Sequence, residues 1–303
     1  MVTAFPRIAM APFRPGEDRA TAVLRDRIRR LFRELPGALA GEADPVHQLR
    51  VAGRRLRVAL PLLAWKPAGK RVRRLRRALR DLTRAAGSGR DLDVLVTLFE
   101  DRLASLDPPS PAQRDIVRRL RVARTRARRR MIDGLLDLKV GRLRRDLRGV
   151  RARGPADVFT VLARTRVARR TEGEVLRRGL AEVGERHDPE ALHALRRVVR
   201  RLRFTGEVED AIRGQDTGAG PAWKLLQDSI GVLHDVHLLS SWLGDLADRG
   251  RGRESRELVA AARVEQEAFE AEARRLHAEL LRTRPAETVA RALEAMDRGR
   301  PAA

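Results

Sequence analysis

Two stretches of the sequence carry histidine and arginine at the same spacing. One runs from His47 to Arg57 and the other from His193 to Arg203, and both read H-x-L-R-x-x-x-R-R-L-R without a gap. Guanidinium groups form charge-assisted, often bidentate hydrogen bonds with phosphate oxygens, and an imidazole adds one or two donors. A charged, solvated face would explain one copy alone, but solubility does not require the same register twice. The chemistry that suits these residues is the binding of phosphate groups.

Helical geometry gathers the cations of each copy on one face. At about 100° per residue, the histidine and three of the arginines in each copy fall within a stripe of roughly 80°. The first stripe consists of His47, Arg50, Arg54 and Arg57, and the second stripe of His193, Arg196, Arg200 and Arg203. Leu49 and Leu56 fall on the opposite side of the first copy. The sequence thus predicts two amphipathic helices, each with one packed face and one cationic face.

The composition indicates a folded protein with an anionic partner. The chain has 303 residues, of which 43% are hydrophobic, so it can bury a substantial core. Its formal net charge is +24, and 61 of its 65 basic residues are arginine. Such a charge destabilises a compact chain unless a polyanion neutralises it. Cysteine is absent, which excludes disulfides, thiolate zinc sites and cysteine nucleophiles.

Apolar periodicity predicts an all-α protein with no convincing strand. Asp44 and Asp188, each followed by proline, are predicted N-caps of the two stripe helices. Trp65, Trp223 and Trp242 are expected in the core. The other predicted helices cover residues 18–39, 70–86, 91–99, 110–147, 158–183, 223–230, 235–246, 253–281 and 286–296.

A second motif follows each stripe and indicates a duplication. Gly87 lies 40 residues after its histidine and Gly231 lies 38 after its own, with Asp91 and Asp235 four residues further on. The glycines are expected to break their helices, and the aspartates are interpreted as N-caps or as partners that orient arginine. Four helices per half favour two duplicated four-helix bundles related by a pseudo-two-fold axis, with the stripes facing one shared groove.

The predicted domain division follows the same duplication. Residues 1–17 are predicted to be a flexible N-terminal segment, and residues 18–284 a helical domain. Its first repeat spans about 18–150 and its second about 157–284, with the boundary in the stretch that contains Gly154 and Pro155. Residues 285–303 are predicted to form a short terminal helix and a tail.

These motifs resemble the CHAD family, the conserved histidine α-helical domain. The resemblance covers about residues 18–281, and the run Arg90-Asp91-Leu92-Asp93-Val94 is similar to the family's signature. It implies two four-helix bundles around a basic central channel that binds inorganic polyphosphate, often at polyphosphate granules. Some relatives carry a triphosphate-processing domain with a glutamate-rich barrel, and nothing in this sequence matches it.

The resemblance also implies which residues bind polyphosphate. Motif matching gives His47, Arg50, Arg54, Arg55, Arg57 and Arg90 in the first half, and His193, Arg196, Arg200, Arg201 and Arg203 in the second. Correspondence between the repeats adds Arg80 and Lys224. The predicted set is completed by outward arginines of the neighbouring helices, namely Arg73, Arg77, Arg121, Arg124 and Arg128.

Several functions compete for this basic surface. Non-catalytic polyphosphate binding is preferred because it explains the repeated arginine register, and nucleic-acid binding is the alternative. Aromatic residues make up 3% of the chain and tyrosine is absent, which leaves few platforms for stacking single-stranded bases. A phosphotransferase would need an acidic metal cluster, which the sequence lacks. His234 and His237 stand at i, i+3 but without H-E-x-x-H, so no metal site, no cofactor and no enzymatic activity are predicted.

The location expected for such a chain is the cytoplasm, at polyphosphate granules. No window approaches 18 apolar residues, and the N-terminus lacks the apolar core of a signal peptide. A membrane span is therefore not expected. The oligomeric state is left open by the sequence.

Overall fold

The computed structural model describes residues 18–106, 108–152, 158–184, 187–250, 252 and 254–298. In this part of the chain the protein forms twelve helices. They are α1 (Arg19–Arg33), α2 (Leu35–Leu39), α3 (Ala43–Leu63), α4 (Lys70–Ala85), α5 (Gly87–Ala104), α6 (Pro111–Leu136), α7 (Val140–Arg148), α8 (Val158–Val183), α9 (Pro189–Arg213), α10 (Gly220–Gly250), α11 (Arg256–Arg282) and α12 (Pro285–Arg298).

The all-α prediction is confirmed. Across the described ranges the only strand-like feature is an isolated antiparallel bridge between Ala64 and Ala152. The predicted helix 158–183 agrees with α8 at both ends. The pseudo-two-fold axis and the domain division remain predictions. Residues 1–17, most of the predicted boundary at 153–157 and the tail at 299–303 lie outside the described residues.

The two stripe helices begin differently. Asp188 is the N-cap of α9, where its carboxylate accepts hydrogen bonds from the backbone N–H groups of Glu190 and Ala191 at 2.9 and 3.1 Å. The corresponding prediction for Asp44 is wrong. Helix α3 begins at Ala43, so Asp44 lies in its first turn, where a carboxylate interacts favourably with the positive end of the helix dipole.

The two predicted breaks at Gly87 and Gly231 also differ from the structure. The chain turns at Ala86 and α5 begins at Gly87 itself, whereas α10 continues through Gly231 without interruption. One glycine costs a helix only about 1 kcal/mol, which the packing of neighbouring apolar residues readily offsets. The predicted helices 18–39 and 110–147 are each divided in two, near Glu34 and at residues 137–139.

Two hydrophobic cores hold the helices together, and each draws residues from both halves of the sequence. One core combines Phe99 of α5 and Leu120 of α6 with residues of α8 to α12, including the buried Trp223. The other combines α1 to α4 and α7 with Val161 of α8 and Val208 of α9. The sequence repeats and the cores therefore do not coincide, and the two halves interlock.

Trp65 lies outside these cores, against the prediction. Its side chain is 48% exposed, while that of Trp223 is 1% exposed. Trp65 follows the end of α3, where its backbone N–H donates to the carbonyl of Arg151 at 2.9 Å. The backbone of this segment pairs with the end of the first half, and the indole is left at the surface.

Gly53 permits the close contact between α3 and α4 that positions the first stripe. A Cβ at this position would lie 2.6 Å from Cγ2 of Thr83, a buried side chain of α4. Overpacking of this kind costs about 1–3 kcal/mol, and the better helix propensity of alanine returns about 1 kcal/mol. We expect Gly53→Ala to lower the free energy of unfolding by about 1 kcal/mol, measured by urea denaturation.

Gly141 provides the matched control for this substitution. It also lies in a helix, but a Cβ there would meet no atom within 4 Å. Gly141→Ala should therefore leave the free energy of unfolding unchanged or raise it. Equal effects of the two substitutions would contradict the close contact at Gly53.

Candidate functional site

The first and second stripes meet where α3 packs against α9. Burial lowers the pKa of Arg200, and the charges of Arg54 and Arg196 lower it further. Burial and the charges of Arg50 and Arg196 likewise lower the pKa of Arg54. Arginine stays protonated at neutral pH. The lowered pKa values therefore reflect first the burial of charged guanidinium groups and then the repulsion between them. We call Arg50, Arg54, Arg57, Arg196 and Arg200 the central cluster.

Arg50 is fixed by the second motif of its own half. Its side chain is buried, and Nη1 donates to the carbonyl oxygen of Gly87 at 2.9 Å and to Oδ1 of Asp91 at 3.0 Å. A Cβ at Gly87 would lie 3.9 Å from Nη2 of Arg50. The prediction that Asp91 orients an arginine is confirmed, and the alternative that it caps a helix is wrong because α5 begins at Gly87.

Arg196 occupies the same place in the second half but with different partners. A Cβ at Gly231 would lie 3.6 Å from its Nη2 and 3.7 Å from its Nε. That Nε is buried and has no hydrogen-bond partner among the described residues. Burial raises the pKa of the nearby Asp235, although the charge of Arg196 opposes this. Asp235 lies inside α10, so its predicted N-cap role is wrong.

The histidine of the second stripe pairs with another histidine. Nδ1 of His193 lies 3.4 Å from Nδ1 of His234, and the ring centroids are 4.5 Å apart. Burial, and then the charge of Arg196, lowers the pKa of His234 to about 4. Burial and the charges of neighbouring arginines also lower the pKa of His193. Both rings are therefore neutral at neutral pH, so one nitrogen of the pair can donate to the other.

In the first half an arginine takes the place of the second histidine. Burial lowers the pKa of His47, and the charges of Arg90 and Arg50 lower it further. Arg90 precedes Asp91 in the sequence just as His234 precedes Asp235. The two halves thus present a histidine–arginine pair and a histidine–histidine pair at equivalent positions beside the central cluster.

The central cluster extends onto α4 through Arg57. Burial lowers the pKa of Arg57, and the charges of Arg76, Arg80 and Arg201 lower it further. Nε of Arg80 lies 3.7 Å from Oδ1 of the adjacent Asp81, with which it forms an ion pair. Arg201 is neutralised by Glu172 of α8, to which it makes two hydrogen bonds of 2.6 and 2.5 Å. Positive charge therefore continues from α3 along the near side of α4.

Two predicted residues point to a different side of α3 and α9. Arg55 and Arg203 both pair with Glu207 of α9, through N–O distances of 2.8 and 3.6 Å. The guanidinium of Arg55 also lies over the ring of Phe204, 5.4 Å from its centroid. Arg55 connects α3 to α9, whereas Arg203 pairs with Glu207 within α9, and the structure places neither in the central cluster.

The other predicted residues lie further out on the surface. Arg121 pairs with Glu100 at 2.6 Å, Arg128 with Asp93 at 3.3 Å and Lys224 with Asp228 at 3.0 Å. Arg73 donates to the carbonyl of Ala68 at the start of its helix. The remaining two are Arg77, exposed on α4, and Arg124, half-buried on α6.

Sequence reasoning missed three members of this arrangement. Arg76 stands four residues before Arg80 on α4, a spacing that could have indicated a shared face. Glu172 and Glu207 supply counter-charges, but nothing in their local sequence distinguishes them from other carboxylates. In the described ranges no group of three or more histidine, aspartate or glutamate side chains is placed to hold a metal ion. No helix there is long and apolar enough to cross a bilayer.

The fold and the site define a class of protein: an all-helical chain in which two copies of one histidine–arginine motif meet in a single cationic cluster. The CHAD domain family matches residues 22–244, and the chain belongs to this family. It is also similar to the crystal structure of the CHAD domain from the plant Ricinus communis, with a TM-score of 0.62 and 18% identity. That similarity covers 92% of this chain and 96% of the plant chain. No curated protein matches the sequence.

The histidine pair should make the stability of the free protein depend on pH. The pKa of His234 is about 4 in the folded protein, against an ordinary value of 6.5 for an exposed histidine. The unfolded chain therefore binds the proton first as the pH falls. Its contribution is therefore complete above about pH 6.5 and decreases toward about pH 4. We expect urea denaturation to give a lower free energy of unfolding at about pH 5 than at about pH 7.5.

The variant His234→Gln should reduce this pH dependence. His237→Gln is the matched control, because it removes an imidazole from the same helix but not from the pair. A pH dependence that is the same in wild type, His234→Gln and His237→Gln would contradict the role of the pair.

Proposed function

We propose that this protein binds inorganic polyphosphate at the central cluster and does so without catalysis. The CHAD family is associated with polyphosphate binding in general. The observation that carries the proposal for this chain is the meeting of the two stripes where α3 packs against α9. There burial and the charge of Arg54 lower the pKa of Arg200, and burial and the charges of Arg50 and Arg196 lower that of Arg54. A linear polyanion laid between the stripes would relieve that repulsion, and its regularly spaced oxygens suit guanidinium donors on two facing helices.

The contacts around the cluster support binding rather than chemistry. The carboxylate of Asp91 accepts a hydrogen bond from Arg50, so Asp91 positions the guanidinium of Arg50. His193 and His234 contact each other, and their lowered pKa values keep them neutral as hydrogen-bond donors. A binding site for phosphate groups needs many fixed donors and positive potential, and these residues supply both.

The same binding would direct the protein to polyphosphate granules in the cytoplasm. Multivalent contact with a dense polyanion gives retention that grows with the number of engaged arginines. A fluorescent fusion should follow the granules in cells that accumulate polyphosphate and should become diffuse when the polymer is depleted.

Competition binding tests the choice of polymer. Purified protein should be titrated with long-chain polyphosphate, single-stranded DNA and duplex DNA at equal phosphate concentration and one fixed salt concentration. We expect polyphosphate to bind at least tenfold more tightly, about 1.4 kcal/mol. Equal affinities, or a preference for DNA, would instead favour nucleic-acid binding through a general electrostatic surface.

The double variant Arg54→Ala/Arg200→Ala tests the site. It should weaken polyphosphate binding at least tenfold and reduce the dependence of log K on log salt by roughly 0.7 for each lost phosphate contact. Because these two cations repel each other, the thermal midpoint of the free variant should not fall. Calorimetry at several salt concentrations and thermal denaturation measure the two effects.

The matched control is Arg178→Ala/Arg249→Ala. It removes the same charge from two arginines whose side chains are 73% exposed and which pair with a carboxylate one helical turn away. This control should bind almost as tightly as wild type. Similar losses in the two double variants would show that net charge, rather than the central cluster, determines affinity.

A further inference from the structure

A second cationic cleft lies on the other side of α3 from the first stripe. It has a volume of about 50 Å³ and opens between α1 and α3. Its polar lining consists of Arg27, Arg30, Arg33, Glu34, Gln48 and Arg55. On a helical wheel, Gln48 and Arg55 lie roughly 130° from the centre of the first stripe, so the cleft and the central cluster use separate faces of α3.

Arg27 is the buried base of this cleft. Its side chain is 10% exposed, and its nearest carboxylate oxygen belongs to Glu207, at 3.8 Å from Nη1. That distance exceeds the length of a hydrogen bond. Burial lowers the pKa of Arg27 to about 10, with Glu207 opposing and Arg55 adding to the effect. Buried guanidinium groups are normally hydrogen-bonded, so the donors of Arg27 are poorly satisfied by the described residues.

The surroundings of the cleft hold more arginines than carboxylates. Glu207 is shared by Arg27, Arg55 and Arg203. Asp26 is likewise shared by Arg29 and Arg30, and Glu34 pairs with Arg33. Three guanidinium groups thus share the single carboxylate of Glu207. Sharing one carboxylate among several arginines leaves donors available to another anion.

The cleft has room for a small anion. A buried water needs about 10–15 Å³, so the cleft has room for about four oxygen-sized atoms. That is the number of oxygens in a tetrahedral oxyanion. The amide of Gln48 donates only a long hydrogen bond of 3.3 Å to Asp44, so it can turn to a ligand at little cost.

We propose that the cleft between α1 and α3 binds one tetrahedral phosphate group, with Arg27 at its base and Arg30, Arg33 and Arg55 around it. The site is distinct from the central cluster and takes a single phosphate group rather than a stretch of polymer. The group can come from free orthophosphate or from the end of a phosphate chain, because both present the same oxygens. In either case α3 would bind phosphate on two faces.

The test is calorimetric titration of the whole protein with inorganic orthophosphate. Arg27→Gln and Arg33→Gln should each weaken binding at least fivefold. Arg33 keeps the test valid if loss of Arg27 disturbs folding, because its side chain is 68% exposed. Arg29→Gln is the matched control, since Arg29 shares Asp26 with Arg30 but does not line the cleft. It should bind orthophosphate as wild type does.

Two further arms separate the sources and the sites. In the first arm, tripolyphosphate replaces orthophosphate as the ligand. If Arg27→Gln binds both ligands fivefold more weakly than wild type, the site takes chain ends. If Arg27→Gln weakens the binding of orthophosphate alone, the site takes the free anion. The second arm uses Arg54→Ala/Arg200→Ala, which should retain the orthophosphate site. The proposal is overturned if Arg27→Gln and Arg33→Gln bind orthophosphate as Arg29→Gln does, or if only the double variant loses binding.

Discussion

Repulsion between two rows of arginine is the constraint around which this protein is built. Arg54 and Arg200 come from halves of the chain that are far apart in sequence, yet the charge of Arg54 adds to burial in lowering the pKa of Arg200, and the charge of Arg196 does the same for Arg54. Like charges approach this closely only when something else holds their helices together. Here the apolar faces of α3 and α9 are buried in the hydrophobic cores, with Leu49, Leu56 and Leu202 almost fully covered. Burial of leucine thus fixes in place a cluster that would disperse if its charges acted alone.

The two copies of the motif are similar in backbone and different in chemistry. In the first, Asp91 and the carbonyl of Gly87 satisfy Arg50. In the second, Arg196 keeps a buried Nε without a partner among the described residues, and His234 stands where the first copy has Arg90. Buried polar groups without partners are costly, so the second copy has more to gain from an anion. The two ends of one bound polyanion would meet different environments, one already neutralised in part and one not.

Much of the fold could be predicted from the sequence, because apolar residues at 3.6-residue spacing indicate a helix from the local sequence alone. The bounds of α8 are an example, since the predicted range 158–183 is the observed one. The helical spacing of the motif likewise predicted which arginines share the face that forms the central cluster. What failed depended on distant packing. Gly87 and Gly231 look alike in sequence, but only the first lies at a helix end. Glu207 captures Arg55 from 152 residues away, so nothing in the motif distinguished Arg55 from Arg54.

The interlocked cores have a consequence for how the chain folds. Helical bundles usually fold fast because their contacts are local in sequence. In this protein Phe99 packs against Phe269 across about 170 residues, with ring centroids 6.2 Å apart, and Val208 of α9 helps to fill the core of the first half. Neither core is complete until α9 has been synthesised. The first half therefore leaves the ribosome with apolar surface that only the second half can cover, and that surface stays exposed at least until α9 has emerged.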